Sequence, residues 1–295
     1  MIWASGWELA TAVSNAGGLG VLGSGSMYPQ ELQEQITKCK QATVNPFGVN
    51  VPLLYPNIEE HITTIIKEQV PIVITSAGNP KLYTQRLIDA GCIVIHVVSS
   101  TKYASKAQEA GCHAIIAEGF EAGGHNGRDE TTTLCLIPNV VQHVSIPVIA
   151  AGGIYNGATM LATMVLGASG VQVGSRFVAS YEASSHLNFK QAVIAASEGD
   201  TILTLKELTP VRLLKNEFYN TIHEAYNRHA TQAQLALLLG RGRAKQGMYQ
   251  GNLQEGELEI GQASAMIHDL KPAALIVKEI WESFEALASK PYIQQ

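Results

Sequence analysis

A single pattern repeats through residues 18–178 of this chain and restricts the fold more than any other feature. Each repeat has a short apolar run rich in β-branched residues, a glycine or polar turn, and a stretch with the apolar spacing of an amphipathic helix. Runs such as "PIVITSAG", "CIVIHVVSS" and "HAIIAEGF" lack polar alternation, which indicates strands buried on both faces. Such strands, alternating with helices, predict an α/β protein with a helix-covered parallel sheet.

The number of strand candidates bears on whether this sheet closes. The sequence contains seven of them, whereas a closed (β/α)8 TIM barrel needs eight. The chain opens directly on a helix candidate, "SGWELATAVSNAG", so the strand that should precede it is missing. We favour a (β/α)8 barrel without its first strand over an open sheet. The expectation is that the upstream reading frame encodes a short apolar strand.

The alternation ends after Phe177, and the residues that follow carry more charge. A chain of 295 residues is long enough for one barrel with an appendage. We therefore predict a barrel over residues 1–205, a small helical cap domain over 206–261, and a C-terminal helix over 262–295 that returns to the barrel.

Composition and charge exclude several classes of function. The net charge of −5 provides no general attraction to nucleic acid or anionic lipid, and no apolar stretch is long enough to span a bilayer. The first residues lack the basic start and cleavage site of a signal peptide. The four cysteines are scattered and do not cluster with histidine, so we expect reduced thiols, no metal site and a cytoplasmic protein.

Two late strand candidates end in glycine. "PVIAAGGI" contains Gly152 and Gly153, and "VQVGSRF" contains Gly174 and Ser175. In parallel barrels the loops after the last two strands often bind phosphate through backbone N–H groups. A tight turn alone would explain one such loop, but two on consecutive strands favour a phosphate site. One phosphate site fits a mononucleotide such as FMN, since no G-x-G-x-x-G motif follows an early strand.

Polar residues also stand at other strand ends, which face the pocket of a parallel barrel. Asn50 follows "FGV", Ser76 and Gly78 lie in "VITSAGNP", and Glu118 ends "HAIIAEG". Asn50 and Ser76 could equally satisfy the backbone of their turns. Glu118 is the stronger candidate, because a carboxylate that ends a buried run needs a partner to offset its desolvation. The loop after it, "FEAGGHNG", presents one imidazole, His125.

Five of these segments together resemble a known family. "PFGVNVPL", "VITSAG", "AEGFEAGGHNG", "PVIAAGGI" and "VQVGSRFV", in this order, are similar to the nitronate monooxygenase-like (2-nitropropane dioxygenase-like) FMN barrels. Within that family they look most like the flavin-type enoyl-acyl-carrier-protein reductases of fatty-acid synthesis. The resemblance extends through nearly the whole chain, including "GRGRAKQG" and "EGELEIGQA".

The resemblance assigns roles to individual positions. His125 matches the catalytic histidine, which can exchange a proton near neutrality. Met1 matches a methionine whose backbone contacts the flavin ring. The positions matched to FMN binding are Met1, Asn50, Ser76, Gly78, Glu118, Gly123, Gly124, Gly152, Gly153, Gly174, Ser175 and Gln262.

The leading functional hypothesis is NAD(P)H-dependent reduction of trans-2-enoyl thioesters on acyl carrier protein, with FMN as cofactor and NADH or NADPH as reductant. His125 would then bond to the thioester carbonyl. The nearest alternative is a nitronate monooxygenase that oxidises small alkyl nitronates with dioxygen. A more distant alternative is a non-redox phosphate-binding barrel. Barrels of this kind often pair, so a homodimer is among the oligomeric states considered.

Overall fold

The computed structural model of the chain describes residues 1–290, and two sheets are found there. The strands are β1 (Gly20–Gly23), β2 (Phe47–Pro52), β3 (Ile72–Ser76), β4 (Ile93–Val98), β5 (Ala114–Glu118), β6 (Gly124–His125), β7 (Val148–Ala151), β8 (Gly170–Gln172), β9 (Thr201–Thr204) and β10 (Val211–Leu214). Seven of them form a parallel sheet in the order β1-β2-β3-β4-β5-β7-β8. This order follows the chain, as expected for successive strand–helix units.

Helices connect these strands and cover the sheet. They are α1 (Trp7–Asn15), α2 (Pro29–Ala42), α3 (Ile58–Lys67), α4 (Thr84–Asp89), α5 (Thr101–Glu109), α6 (Thr133–His143), α7 (Gly157–Val165), α8 (Ser175–Val178), α9 (Leu187–Ala195), α10 (Glu217–Asn227), α11 (Gln232–Leu239) and α12 (Ala273–Ala288). Local sequence fixes several of their starts. Asn156 caps α7 in a capping box with Thr159, and Thr231 caps α11 with Gln234.

Successive side chains of each sheet strand enter two different apolar clusters. Val73 packs among the helices, whereas its neighbour Ile74 lies on the other face with Ile95 and Ile116. Because side chains of a strand alternate between faces, this explains why the strands are apolar without interruption. The face with Ile74 is the inner side of the curled sheet.

The same alternation places three polar side chains on the inner face. Val49 and Ala117 belong to the cluster beneath the helices, so the next residues, Asn50 and Glu118, face inward. Ser76 lies two positions after Ile74 and shares its face. Ser76 and Glu118 stand at the carboxyl ends of their strands, at one rim of the sheet, whereas Asn50, predicted at a strand end, lies two residues before the end of β2 and pairs with Ile74.

The second sheet is antiparallel and has the order β6-β10-β9. Its strands β9 and β10, with α10 and α11, pack around Leu213, Phe218 and Leu235 to form the cap. The sequence predicted a helical cap and did not anticipate these strands. The boundary predicted after residue 205 falls between β9 and β10, which pair with each other.

The predicted fold class, a TIM-barrel-type α/β fold with a cap, is confirmed by these elements. The predicted upstream strand stays a prediction. The C-terminal part is more interrupted than expected, since Gln262–Met266 is a short 3-10 helix and α12 starts after Pro272. Helix α12 packs against α7, and residues 291–295 of the predicted C-terminal part lie outside the described residues. No helix within residues 1–290 has the length and apolarity needed to cross a membrane.

Candidate active site

The two glycine loops predicted to bind phosphate lie side by side, because β7 and β8 are neighbours. Among residues 1–290, no hydrogen bond is found for the backbone N–H groups of Gly153, Gly174 or Ser175. The Ser175 hydroxyl oxygen accepts a hydrogen bond from Gly261 N–H at 3.0 Å, which leaves its own proton free to donate. Free donors from two adjacent loops form a surface suited to an anion such as a phosphate.

A hydrogen-bonded link holds the first of these loops in place. The Thr133 N–H donates to the Glu121 carboxylate at 2.9 Å, and the Thr133 hydroxyl lies 2.9 Å from the Gly152 carbonyl oxygen. Gly152 has a φ of +94°, and a Cβ there would lie 2.8 Å from the Gly119 carbonyl oxygen. Glycine is therefore required at this position for both conformation and space.

Asn50 and Ser76 are brought together on the inner face. The Asn50 side-chain amide donates to the Ile74 carbonyl oxygen at 3.1 Å and lies 3.3 Å from the Ser76 hydroxyl oxygen. The Asn50 Oδ1 has no hydrogen-bond donor within the described residues and remains available as an acceptor. Gly78 lies two residues after Ser76. It is exposed, and a Cβ there would lie 2.6 Å from the Leu53 Cβ.

Glu118 lies opposite, at the end of β5. Its carboxyl accepts no hydrogen bond from residues 1–290, although it is only partly exposed. Burial raises the pKa of Glu118 to about 7, and the Met1 amino group opposes this shift. The carboxyl can therefore donate or accept a hydrogen bond at neutral pH, as a ligand with hydroxyl groups requires.

Met1 lies between the first and last strands of the sheet. Its carbonyl oxygen would be 2.6 Å from a Cβ on Gly23, at the end of β1, and its sulfur would be 3.7 Å from a Cβ on Gly174. Burial lowers the pKa of the Met1 amino group, while Glu259 and Glu118 raise it. The predicted Met1 position is thus at the same rim as the glycine loops.

His125 reaches this rim through the cap sheet. In the register of β6 against β10, His125 pairs with Val211 and Gly124 pairs with Arg212. Asn126 reinforces the pairing, because its N–H donates to the Pro210 carbonyl oxygen at 2.9 Å. The His125 side chain is exposed and has no hydrogen-bond partner among the described residues. The backbone is therefore fixed while the imidazole stays accessible.

Arg212 is a site-supporting residue that the sequence did not reveal. Its side chain is 2% exposed, and its Nε and Nη2 donate to the Phe120 carbonyl oxygen at 3.2 and 3.1 Å. Its guanidinium also stacks 4.4 Å from the centre of the Phe120 ring. Burial lowers the pKa of Arg212, and Glu121 opposes the shift. These contacts fix the start of the loop that carries His125.

Residues 257–262, here called the cover segment, cross the rim from the cap to the barrel. A Cβ on Gly123 would lie 2.4 Å from the Ile260 carbonyl carbon, so the two backbones touch. The Gln262 N–H donates to the Glu121 carbonyl oxygen at 2.9 Å, while its side chain is exposed. With the Gly261 bond to Ser175, the cover segment joins the histidine loop to the phosphate-side loop.

The cover segment also carries two carboxyl groups that sequence reasoning missed. A Cβ on Gly124 would lie 2.7 Å from Glu259 Oε2, which places this carboxyl next to the backbone of His125. Burial raises the pKa of Glu259, and His125 opposes the shift. Burial raises the pKa of Glu257 to about 8, with Glu259 as the second cause. Their signal in the sequence is weak, because charges are ordinary in a cap loop.

The sequence makes two further predictions: His96, inside the strand candidate "VIHVVSS", should be a satisfied core residue, and Cys135, at the head of an apolar helix, should be a buried thiol. His96, expected to be a satisfied core residue, is buried and its Nδ1 lies 2.7 Å from the Thr75 hydroxyl. Cys135, expected to be a buried thiol at the head of an apolar helix, is exposed, so that prediction was wrong. It stands on the outer side of α6, whereas Leu136 and Ile137 face the core.

The fold and site define a barrel-type α/β protein with an anion-accepting rim and one accessible imidazole. The family model for nitronate monooxygenase matches residues 1–62 and 55–283, and the chain belongs to the nitronate monooxygenase family. The family is one of flavin-dependent oxidoreductases. This confirms the family and the enzyme class predicted from the sequence.

Two kinds of curated protein are similar in sequence to this chain. A dehydrogenase of a hydroxy-methyl-oxo-octahydroindene-carboxyl-CoA from Rhodococcus jostii is 35% identical over 77% of this chain and 64% of its own length. A probable nitronate monooxygenase from Staphylococcus aureus is 36% identical over 67% of this chain and 68% of its own length. The chain thus spans about two thirds of the length of these relatives.

Similar solved structures include FabK from Thermotoga maritima, with 40% identity, a TM-score of 0.93, and coverage of 98% of this chain and 91% of that chain. A nitroalkane oxidase from Streptomyces ansochromogenes has 26% identity, a TM-score of 0.84, and coverage of 98% and 94%. Both similarities extend over the barrel and the cap.

Proposed function

We propose that this chain is an FMN-dependent, NAD(P)H-using reductase of trans-2-enoyl thioesters, with the acyl group presented on acyl carrier protein. The observation that carries the proposal is the similarity to FabK, an enoyl-acyl-carrier-protein reductase, at 40% identity over 98% of this chain. The relative from Rhodococcus supports the same substrate chemistry, since its name describes action on a coenzyme A thioester.

The residues of the rim fit FMN. The free N–H groups of Gly153, Gly174 and Ser175 would hold the phosphate. The Asn50 amide oxygen and the Glu118 carboxyl are acceptors without protein donors, as the hydroxyl groups and the N–H of a flavin require. FMN, when bound, supplies reversible hydride transfer to and from its ring.

The chain's own contribution to the reaction lies with the histidine loop. His125 would bond to the carbonyl oxygen of the thioester, stabilise the negative charge that grows there, and assist proton delivery to the product. The pairing of β6 with β10 and the Arg212 clamp on Phe120 orient the loop before substrate arrives. The cover segment packs against the backbone of the same loop at Gly123.

Nitronate monooxygenase is the second candidate function, and the family match and the Staphylococcus relative favour it. In that reaction His125 would act as a base or as the partner of the nitronate anion. The non-redox barrel has no support from these relatives.

An anaerobic stopped-flow experiment on the FMN-loaded protein distinguishes the two reactions. We expect NADH or NADPH to bleach the flavin absorbance and a crotonyl thioester to restore it without dioxygen. Absence of bleaching by both nucleotides, together with rapid turnover of an alkyl nitronate in dioxygen, would overturn the reductase proposal.

A further inference from the structure

Two carboxyl groups of the cover segment have no part in the proposed reaction. Glu257 is only 8% exposed, and the partly exposed Glu259 approaches the backbone of Gly124, the residue before His125. No residue within 1–290 donates a hydrogen bond to either carboxyl. Burying a carboxylate without hydrogen bonds costs free energy. Either these carboxyls hold protons, or their negative charge affects what binds next to them.

The position of the pair follows from the cap sheet. Along one edge of β10, Val211 and Arg212 pair with the histidine loop, and the next residue, Leu213, bridges to Glu259. The backbone N–H of Leu214 then donates to the Leu258 carbonyl oxygen at 2.9 Å. Glu259 therefore continues the line of β6, and the space between its carboxyl and the loop of His125 is here called the chamber.

Among the described residues, no cation hydrogen-bonds to either carboxyl. The charged and titratable groups that face the pair are His125 on β6, Glu118 at the end of β5, Tyr55 after β2, the amino group of Met1, and Arg243. Arg243 is engaged elsewhere, because its Nη1 lies 3.1 Å from the Glu255 carboxylate and its Nη2 donates to the Leu238 carbonyl oxygen. Burial lowers the pKa of the Met1 amino group, so this group carries little positive charge in alkaline solution, where added negative charge in the chamber would be poorly compensated.

We propose that Glu259, together with Glu257, is a specificity-determining residue that excludes anions from the chamber beside His125. The site then takes a neutral acceptor, such as an enoyl thioester, and rejects a nitronate. The identity of the neutral acceptor rests on the proposed function, whereas the exclusion of anions does not.

The protonation of the pair matches this role. Burial raises the pKa of Glu257 to about 8, so Glu257 holds its proton near neutrality and becomes negative in alkaline solution, and burial raises the pKa of Glu259 in the same direction. A nitronate is the conjugate base of a nitroalkane and persists in alkaline solution. Negative charge on the cover segment therefore grows under the conditions in which the anionic substrate is present.

Substrate competition tests the proposal in the FMN-loaded enzyme. We would compare kcat/KM for butyl nitronate and for crotonyl-N-acetylcysteamine, a neutral thioester, in the wild type and in Glu259→Gln and Glu257→Gln. Near about pH 9 we expect Glu259→Gln to raise the nitronate-to-thioester ratio about tenfold. Glu224→Gln is the matched control, because Glu224 is exposed on α10 beside Arg228, and it should leave the ratio unchanged.

A binding measurement separates this proposal from the proposed reaction. Calorimetric titration with nitrate, an inert planar anion, should show tighter binding to Glu259→Gln than to the wild type near about pH 9 and a smaller difference near about pH 6. That result without turnover of either substrate would support anion exclusion and overturn the reductase proposal. Anion exclusion would be overturned if nitrate bound with equal affinity, or not at all, to the wild type, Glu259→Gln, Glu257→Gln and Glu224→Gln.

Discussion

His125 combines a fixed backbone with an accessible side chain. The pairing of β6 with β10 fixes the backbone, and no hydrogen bond from the described residues restrains the imidazole. An imidazole in this state can turn toward a bound substrate and form a hydrogen bond with it. The loop is ordered by the pairing of its backbone with the cap and not by contacts of the imidazole.

Replacing the imidazole should affect the reaction with substrate and leave the cofactor bound. For His125→Ala we expect reoxidation of the reduced protein by crotonyl thioester to slow by about 100-fold or more, the usual contribution of a positioned acid or base. Stopped-flow absorbance measures the rate, and the flavin content after gel filtration measures retention. His143→Ala is the control, since His143 is exposed at the end of α6. An unchanged rate in His125→Ala would remove its assigned role.

At the residue scale, the sequence reveals polar groups that interrupt apolar runs. Glu118 could be selected because it ends a buried strand, and Asn50 because it interrupts one two residues before its end. Glu257 and Glu259 could not, because they lie in the charged segment "EGELEIG", where solvated carboxylates are the normal expectation. Glu259 approaches Gly124 in the histidine loop and Glu257 packs against Gly247, and neither contact can be read from local sequence.

At the scale of elements, the ends of β7 and β8 create the phosphate-side surface. Their glycines let two loops lie close together, and Thr133 at the start of α6 links the loop after β7 to Glu121 through its bond to Gly152. The arrangement has little room for any side chain at Gly152. The phosphate-side surface therefore depends on the backbone conformation at Gly152 as well as on the free N–H groups of the two loops.

A methyl group at Gly152 should disturb this surface. Gly152→Ala places a Cβ 2.8 Å from the Gly119 carbonyl oxygen at a φ of +94°, so we expect FMN affinity to fall by about tenfold or more. Gly91→Ala is the matched control, because Gly91 has a φ of +84° but open space around a Cβ. Fluorescence titration with FMN measures both. Equal affinity in Gly152→Ala and Gly91→Ala would contradict the assigned loop.

The elements of the barrel were predictable and those of the cap were less so. Strands such as Ile72–Ser76 and Ile93–Val98 are β-branched and alternate with helices, so pattern alone identifies them. Strands β9 and β10 have four residues each, which is too short for a clear period. Their partner β6 has only two residues, and this pairing depends on tertiary contact.

At the scale of the whole molecule, buried carboxyl groups link stability to pH. Burial raises the pKa of Glu257 from 4.5 to about 8, so the folded state binds this proton more tightly than the unfolded state does. The resulting stability is fully present below the unfolded pKa and is lost as pH rises through the folded pKa. Glu118 and Glu259 contribute in the same direction.

Removing one of these carboxyls should reduce the pH dependence. Between about pH 5 and about pH 9, the free energy of unfolding of the wild type should fall more than that of Glu257→Gln, by on the order of 2 kcal/mol. Urea unfolding at saturating FMN measures this difference, with Glu224→Gln as the exposed control. Parallel pH profiles for the wild type and Glu257→Gln would show that Glu257 is not protonated in the folded protein.

A crystal structure of the chain with FMN tests the central claim most directly. We expect the phosphate within hydrogen-bond distance of the N–H groups of Gly153, Gly174 and Ser175, and the flavin ring between Asn50 and the His125 loop. A phosphate bound away from both glycine loops, or a ring remote from His125, would contradict the account.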